Sequence, residues 1–266
     1  TTGLNKTITG NIGSSTFLDL GILNIGSDTV SANYSKTTIN GDVFANSTVL
    51  NNGTTNSSEL ILASGKNITS TITTADNGKG ILTLFGGTQT VTGQVGTGGV
   101  GGLSLAEVNA GANGATSTFT NDVYATNLDV EGTGTVNLDG KFTGTAVRYN
   151  ADGTVILADT KNIDSSVTTA TNNTGTLSLE GSSTVTGQVG ASGASLKEIN
   201  AGVAGTTSTF NSNVYASNLN MTGAGTVVLN SDLTGNVVTT GNQGILTTTG
   251  ATQTIAGNIG SAISSL

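Results

Sequence analysis

Apolar and polar residues alternate with a period of two in many short segments of the chain. Val136 and Leu138 flank a polar residue, and so do Leu177 and Leu179. Such alternation is typical of a strand that buries one face. Residues that favour strands, such as Thr, Val and Ile, are abundant, whereas strong helix formers are scarce. The pattern therefore predicts strands rather than helices.

The strand pattern recurs at a nearly constant spacing. Gly-Thr-apolar segments begin at Gly134, Gly153 and Gly175, and related segments begin at Gly225 and Gly244. The spacings are 153 − 134 = 19, 175 − 153 = 22 and 244 − 225 = 19. A meander of hairpins does not need similar residues at such intervals, whereas a coil does, because equivalent residues of successive turns stack in ladders. We predict an all-β fold, a parallel β-helix (β-solenoid) with coils of about 19–22 residues.

Stacked coils assign each residue of the segment to a ladder. We expect one interior ladder of Val136, Val155, Leu177 and Val227, a second of Leu138, Leu157, Leu179 and Leu229, and an outward ladder of Thr135, Thr154, Thr176 and Thr226. Leu179→Asp should break the stack, because an unpaired charge would enter a dry core. Thr176→Asp should be mild.

A longer repeat contains the short one. Val-Thr-Gly-Gln-Val-Gly at 91–96 returns at 185–190, and weaker copies stand at 8–13 and 255–260. We interpret the chain as a single solenoid domain, 1–266, with a worn repeat at 1–65, repeats at 66–160 and 161–260, and a truncated coil at 261–266. The stretches 102–114 and 195–202 are expected to be coils with a short excursion. Neither end shows an obvious cap, which indicates a piece of a longer rod or chains that stack end to end.

Composition narrows the function classes. The chain of 266 residues has a net charge of −8 and only 8 Lys and Arg residues, so the basic footprint of a nucleic-acid binder is missing. No apolar run approaches the ~20 residues of a membrane-spanning helix, and we expect no direct membrane insertion. The absence of cysteine excludes disulfides, thiolate nucleophiles and sulfur-ligated metals.

Three acidic residues are the best candidates for catalysis. Asp139 and Asp159 occupy adjacent coil positions, and Glu180 follows one coil later in the column of Asp139. A pair of neighbouring carboxylates can act as acid and base in polysaccharide chemistry. However, Arg148 is the only arginine and histidine is absent. We therefore expect no catalytic residues, no cofactor and no enzyme activity.

Calcium is the metal to consider. Asp152, which precedes a glycine, and Asp122 carry oxygen ligands at predicted turns. The glycine-rich nonapeptide that binds calcium in other β-rolls is missing. We interpret both aspartates as turn residues and predict no metal site.

Two aromatic pairs recur together, Phe119 with Tyr124 and Phe210 with Tyr215. They are either exposed contacts for a glycan or protein, or large fillers of a wider coil. We favour the second interpretation.

The repeat elements resemble those of the rickettsial surface cell antigens. The similar features are Val-Thr-Gly-x-Val-Gly at 91–96 and 185–190, the Asn-Ala-Gly…Thr-Ser-Thr-Phe element at 109–119 and 200–210, and Val-Tyr-Ala-Ser/Thr-Asn-Leu at 123–128 and 214–219. The resemblance implies a passenger segment of an autotransporter, carried through an outer-membrane barrel and displayed outside the cell as a right-handed parallel β-helix.

These observations predict a non-catalytic, secreted protein of the bacterial cell surface that acts in adhesion or as a surface coat. One alternative is a self-assembling subunit of an extracellular filament or lattice, and another is a polysaccharide-active enzyme. The expected partners are other copies of the chain, end to end or laterally, or molecules on a host or neighbouring cell surface.

Overall fold

The computed structural model describes residues 5–16, 20–26, 35–51 and 57–260. The backbone of these residues forms strands, turns and bends, with no helix. Thus no described segment is a helix that could cross a lipid bilayer. The named strands pair in parallel and wind into a β-solenoid of about ten turns, which confirms the predicted fold class. The truncated coil predicted at 261–266 lies outside the described residues.

Short strands joined by turns make up each coil. In the first half of the chain they are β1 (Asn5–Ile8), β2 (Leu20–Gly26), β3 (Lys36–Ile39), β4 (Val43–Asn51), β5 (Glu59–Leu62), β6 (Ile68–Thr74), β7 (Lys79–Leu84), β8 (Thr88–Val91), β9 (Leu105–Ala110), β10 (Thr116–Phe119), β11 (Val123–Val130) and β12 (Thr135–Leu138). In the second half they are β13 (Phe142–Tyr149), β14 (Thr154–Leu157), β15 (Asn162–Thr169), β16 (Thr176–Leu179), β17 (Ser183–Val185), β18 (Leu196–Ala201), β19 (Thr207–Phe210), β20 (Val214–Met221), β21 (Thr226–Leu229), β22 (Leu233–Thr239), β23 (Ile245–Thr248) and β24 (Ile255–Ala256).

The strands stack in two ladders, but the coil has three sides. Among the described strands, the odd-numbered ones follow one another in one sheet and the even-numbered ones in the other. The longer strands bend and belong to two sides; in β13 the register shifts between Thr143 and Ala146. We call the three sides of the coil columns 1, 2 and 3, in the order in which the chain visits them.

Each column buries apolar side chains from successive turns. One inward residue of each turn is named here for each column. Column 1 contains Ile12, Val43, Ile68, Val91, Phe119, Leu138, Leu157, Leu179, Ile199, Leu219, Val237 and Ile259. Column 2 contains Ile25, Leu50, Ile72, Val95, Val123, Phe142, Ile163, Val185, Phe210, Leu229 and Leu246. Column 3 contains Ile8, Ile39, Leu62, Leu84, Val108, Leu128, Val147, Val167, Val189, Val214, Leu233 and Ile255. Nearly all of these side chains belong to, or pack against, one hydrophobic cluster that follows the axis.

Most of the predicted ladders are present. Val136 pairs with Val155 and Val155 with Leu177, and all three side chains are fully buried. The threonines at the start of the same strands pair in the same way and point outward. The segments that begin at 134, 153 and 175 are therefore lateral neighbours, as predicted.

The fourth member of each predicted ladder is wrong. Thr226, Val227 and Leu229 belong to column 2, where Thr226 pairs with Thr207. The turn that follows Thr176 in column 1 instead places Glu198 beside it.

The reason is that the long repeat does not span a whole number of turns. Val123 lies in column 2, and the same column is reached again at Phe142, Ile163, Val185 and Phe210, four turns later. The equivalent residue of the next repeat, Val214, follows in column 3. The repeat thus covers four and a third turns, and every equivalent position moves to the next side of the rod.

The predicted coil length holds only where no loop is inserted. The step from Phe119 to Leu138 is 138 − 119 = 19 and that from Leu157 to Leu179 is 179 − 157 = 22, but the step from Val91 to Phe119 is 119 − 91 = 28. The expected position of the excursions was also wrong, because β9 and β18 are regular ladder strands. The extra residues lie just before them, in the loops 97–103 and 191–194.

Candidate functional site

The three acidic residues singled out for catalysis are all exposed and do not converge. Asp139 and Glu180 follow the same column in turns that are not adjacent, with Ala158 of the intervening turn between them. Two strand spacings separate their backbones by about 10 Å. The carboxylate of Asp159 accepts a hydrogen bond from the amide of Ser182 at 2.7 Å, so it closes a corner of the coil.

Asp159 is one example of a general rule at the corners. Where the backbone bends away from its neighbour, an Asn or Asp side chain accepts the amide hydrogen of the corresponding residue in the next turn. The acceptors are Asn11, Asp42, Asn67, Asn77, Asn113, Asp122, Asp152, Asp159, Asn162, Asn172, Asn213, Asp232 and Asn236. These side chains continue the ladder where backbone pairing stops, which satisfies amides that would otherwise lack a partner. Sequence reasoning missed this role.

The two calcium candidates are corner residues of this kind. Asp122 accepts hydrogen bonds from the amide of Lys141 at 3.1 Å and from the hydroxyl of Tyr124 at 3.2 Å. Asp152 accepts the amide of Gly175 at 3.1 Å and forms an ion pair with Lys197 at 2.7 Å. The side-chain hydrogen bond from Lys197 lowers the pKa of the Asp152 carboxyl. Within the described residues no three acidic groups gather as a metal site would require.

In each aromatic pair the phenylalanine is a core residue, whereas the tyrosine lies at the surface. Phe119 and Phe210 are buried and fill the core, as predicted. Tyr124 and Tyr215 point outward and are half-buried. Each backbone carbonyl closely approaches a glycine of the preceding turn: a β-carbon on Gly96, which has φ +68°, would lie 2.2 Å from the carbonyl oxygen of Tyr124.

The only arginine neutralises a buried carboxylate on column 3. Asp129, 2% exposed, receives two hydrogen bonds from the guanidinium of Arg148 in the next turn. Glu107, on the other side of Asp129, lies 3.6 Å from the same guanidinium. Hydrogen bonding to Asp129 raises the pKa of Arg148 above its already high ordinary value, so the guanidinium is charged at neutral pH.

A groove of about 390 Å³ lies where a glycine-rich loop passes over column 2. Its floor is a ladder of three outward side chains from successive turns, Tyr124, Thr143 and Asp164. The strand spacing of ~4.8 Å makes this floor about 10 Å long. The hydroxyl oxygen of Thr143 is buried and has no hydrogen-bond partner in the protein.

The loop 97–102 forms one wall of the groove and Lys141 borders it. Gly98 packs against the ring of Tyr124, where a β-carbon would lie only 2.2 Å from a ring carbon. The ammonium of Lys141 lies 5.2 Å from the centre of the same ring. The Tyr124 side chain, followed by the carboxylates of Asp122 and Asp164, raises the pKa of Lys141. The lysine is therefore charged and already compensated by its neighbours.

The second repeat does not reproduce this groove. Its loop is three residues shorter, with Ala-Ser-Gly-Ala at 191–194 where the first repeat has seven residues at 97–103. Asp232 of the second repeat is equivalent to Lys141. Ala256, two turns beyond Tyr215, is equivalent to Asp164, which lies two turns beyond Tyr124. The groove is thus a feature of the first repeat.

No protein-family model, curated protein or solved structure matches this chain. The resemblance to rickettsial surface antigens therefore stays a prediction from the motifs.

Among the described residues, the inward side chains of the first and last turns are less well covered than those between them. In the first turn Ile8, Ile12 and Leu23 are only partly buried, although they pack on the core. In the last turn Ile259 is 52% exposed and Leu246 is partly buried.

Proposed function

We propose that the chain is a non-catalytic rod of a bacterial cell-surface or extracellular protein, which acts in adhesion or as a surface coat. The observation that carries this proposal is the three-column core of the described residues, which is continuous from Ile8 to Ile255. Such a core makes an elongated, rigid spacer on the order of 50 Å long. The corner contacts of its aspartates support a structural role rather than a catalytic one.

Surface display tests this function. The chain is fused to the outer-membrane barrel of an autotransporter in a Gram-negative laboratory strain, with the barrel alone as control. We expect a protease-resistant passenger outside the cell and greater attachment of the displaying cells to epithelial monolayers or to one another. Attachment equal to that of the barrel alone would count against adhesion, and rapid digestion of the passenger would count against a coat.

A second candidate function is end-to-end self-assembly, which the partly exposed core residues of the first and last described turns favour. All three columns carry apolar residues there, so another copy could continue the parallel ladders and cover them. Contact between different ends of identical chains does not close and gives filaments. This function rests on Ile259 and its neighbours in the last described turn.

Sedimentation velocity over a concentration series tests assembly. We expect larger species as concentration rises and loss of these species in Ile259→Asp. Val100→Asp is the matched control, because Val100 is fully exposed on the loop 97–102, away from the first and last turns. Monomers alone at every concentration would exclude assembly through these turns.

A further inference from the structure

The groove of the first repeat contains polar groups that the protein does not satisfy. The Thr143 hydroxyl oxygen is buried without a partner. Gly98, Gly99 and Gly101 are exposed, and their amides donate to no acceptor in the described chain, although those of Thr97 and Gly102 do. A buried hydroxyl without a partner is rare in folded proteins because it costs free energy, whereas the exposed amides bond to water until a ligand replaces it. The groove therefore offers an external ligand one unsatisfied hydroxyl and several amide donors that face the solvent.

The charges in the groove favour a neutral partner. Lys141 is flanked by Asp122 and Asp164, so the groove holds no uncompensated positive charge that would attract an anion. The net charge of −8 disfavours the approach of a polyanion to the whole molecule. A ligand rich in hydroxyl groups can satisfy a carboxylate, a threonine hydroxyl and backbone amides without an ionic contact.

The dimensions favour a short oligomer rather than a single small group. The volume of about 390 Å³ falls in the range of small-molecule sites. The floor runs along the axis through three turns, with Tyr124 at one end and Asp164 at the other. The ring of Tyr124 offers apolar contact beside the polar groups.

We propose that this groove binds a neutral oligosaccharide. Asp164 and the Thr143 hydroxyl contact its hydroxyl groups, the free amides of the loop 97–102 bind its oxygen atoms, and Tyr124 packs against its apolar edge. The proposal concerns the purified chain and is independent of where the protein is located, so its failure leaves the surface role untouched.

The test probes the labelled protein on an array of neutral, sialylated and sulfated oligosaccharides, followed by calorimetric titration of the strongest neutral one. We expect neutral oligosaccharides to bind, and Thr143→Val and Asp164→Asn each to weaken binding about fivefold, a typical loss for one hydrogen bond. The matched control is Thr234→Val, at the equivalent position of the second repeat, which should bind like the unchanged protein.

Exchange of the loop gives a second, independent test of oligosaccharide binding. Replacing residues 97–103 by the Ala-Ser-Gly-Ala of 191–194 removes one wall with a loop that the same fold already uses. This chimera should stay folded by circular dichroism and lose binding. Absence of any bound neutral oligosaccharide, a preference for anionic ones, or full binding by the chimera would overturn the proposal.

Discussion

Arg148 forms a two-pronged ion pair with Asp129, the residue directly opposite it in the preceding turn of column 3. In the second repeat the two equivalent positions, which are also directly opposite each other in adjacent strands, are occupied by Asn220 and Val238. The buried carboxylate and its arginine are thus both present in one copy and both absent in the other, which is what the cost of an unpaired buried charge requires.

The first prediction concerns this pair. Arg148→Ala should destabilise the surrounding turns by about 1–3 kcal/mol, because Asp129 would lose its counter-charge; removal of the guanidinium, which is 40% exposed, lets water compensate for part of the loss. The double variant Asp129→Asn/Arg148→Val copies the second repeat and should recover most of the loss. Hydrogen exchange of β9, β11 and β13 measures the local opening. Equal protection in the single and double variants would show that the pair does not stabilise this side.

The second prediction tests the register of the columns. The chain has no cysteine, so an engineered pair can cross-link only with itself. Thr207→Cys/Thr226→Cys should oxidise readily, because paired parallel strands bring these residues to about 5 Å, within disulfide range. Thr176→Cys/Thr226→Cys should stay reduced within the monomer. A gel-shift assay distinguishes the two, and a Thr207→Cys/Thr226→Cys variant that stays reduced would contradict the register of column 2.

The third prediction separates inward from outward positions of one strand. Leu157 is fully buried and Thr154 is half-buried between Thr135 and Thr176. Leu157→Asp should cause rapid proteolysis, since an unpaired charge enters the core. Thr154→Asp should change the free energy of unfolding by less than about 1 kcal/mol. Thr154 is a cleaner control than Thr176, which lies beside Glu198. Similar digestion of both variants would refute the assignment.

The fourth prediction concerns acid stability. The pKa of Asp152 is lowered in the folded chain, first by Lys197 and then by the Gly175 amide. The contribution of this carboxylate to stability is therefore present above the unfolded pKa of about 3.9 and is lost as the pH falls through the folded value. In carboxyl NMR titrations, Lys197→Met should raise the pKa of Asp152 towards the ordinary value. An unchanged titration would mean that the ion pair does not persist in solution.

Local alternation was enough to predict the strands and most interior ladders. Val136, Val155 and Leu177 have the same neighbours in sequence because they occupy the same place in successive turns. The assignment failed at Val227, since all three columns demand an apolar side chain of similar size. Sequence therefore reveals which face of a strand is inward, but not which side of the rod the strand occupies.

The groove could not be derived from the sequence for a related reason. The sequence separation of Thr143 from Tyr124 is 143 − 124 = 19, and that of Asp164 from Thr143 is 164 − 143 = 21, so only the stacking register brings them together. The available signal was the longer loop of the first repeat, in which glycines surround Val100. Without the register, that loop looks like a tolerated insertion.

The extra third of a turn in each long repeat has a consequence for how such genes change. Gain or loss of one copy by recombination would keep every ladder continuous, because any column accepts the inward residues of another. Everything beyond the join would nevertheless face a new direction, rotated by a third of the circumference. Variation in copy number would thus alter both the reach of the molecule and the side it offers to its surroundings.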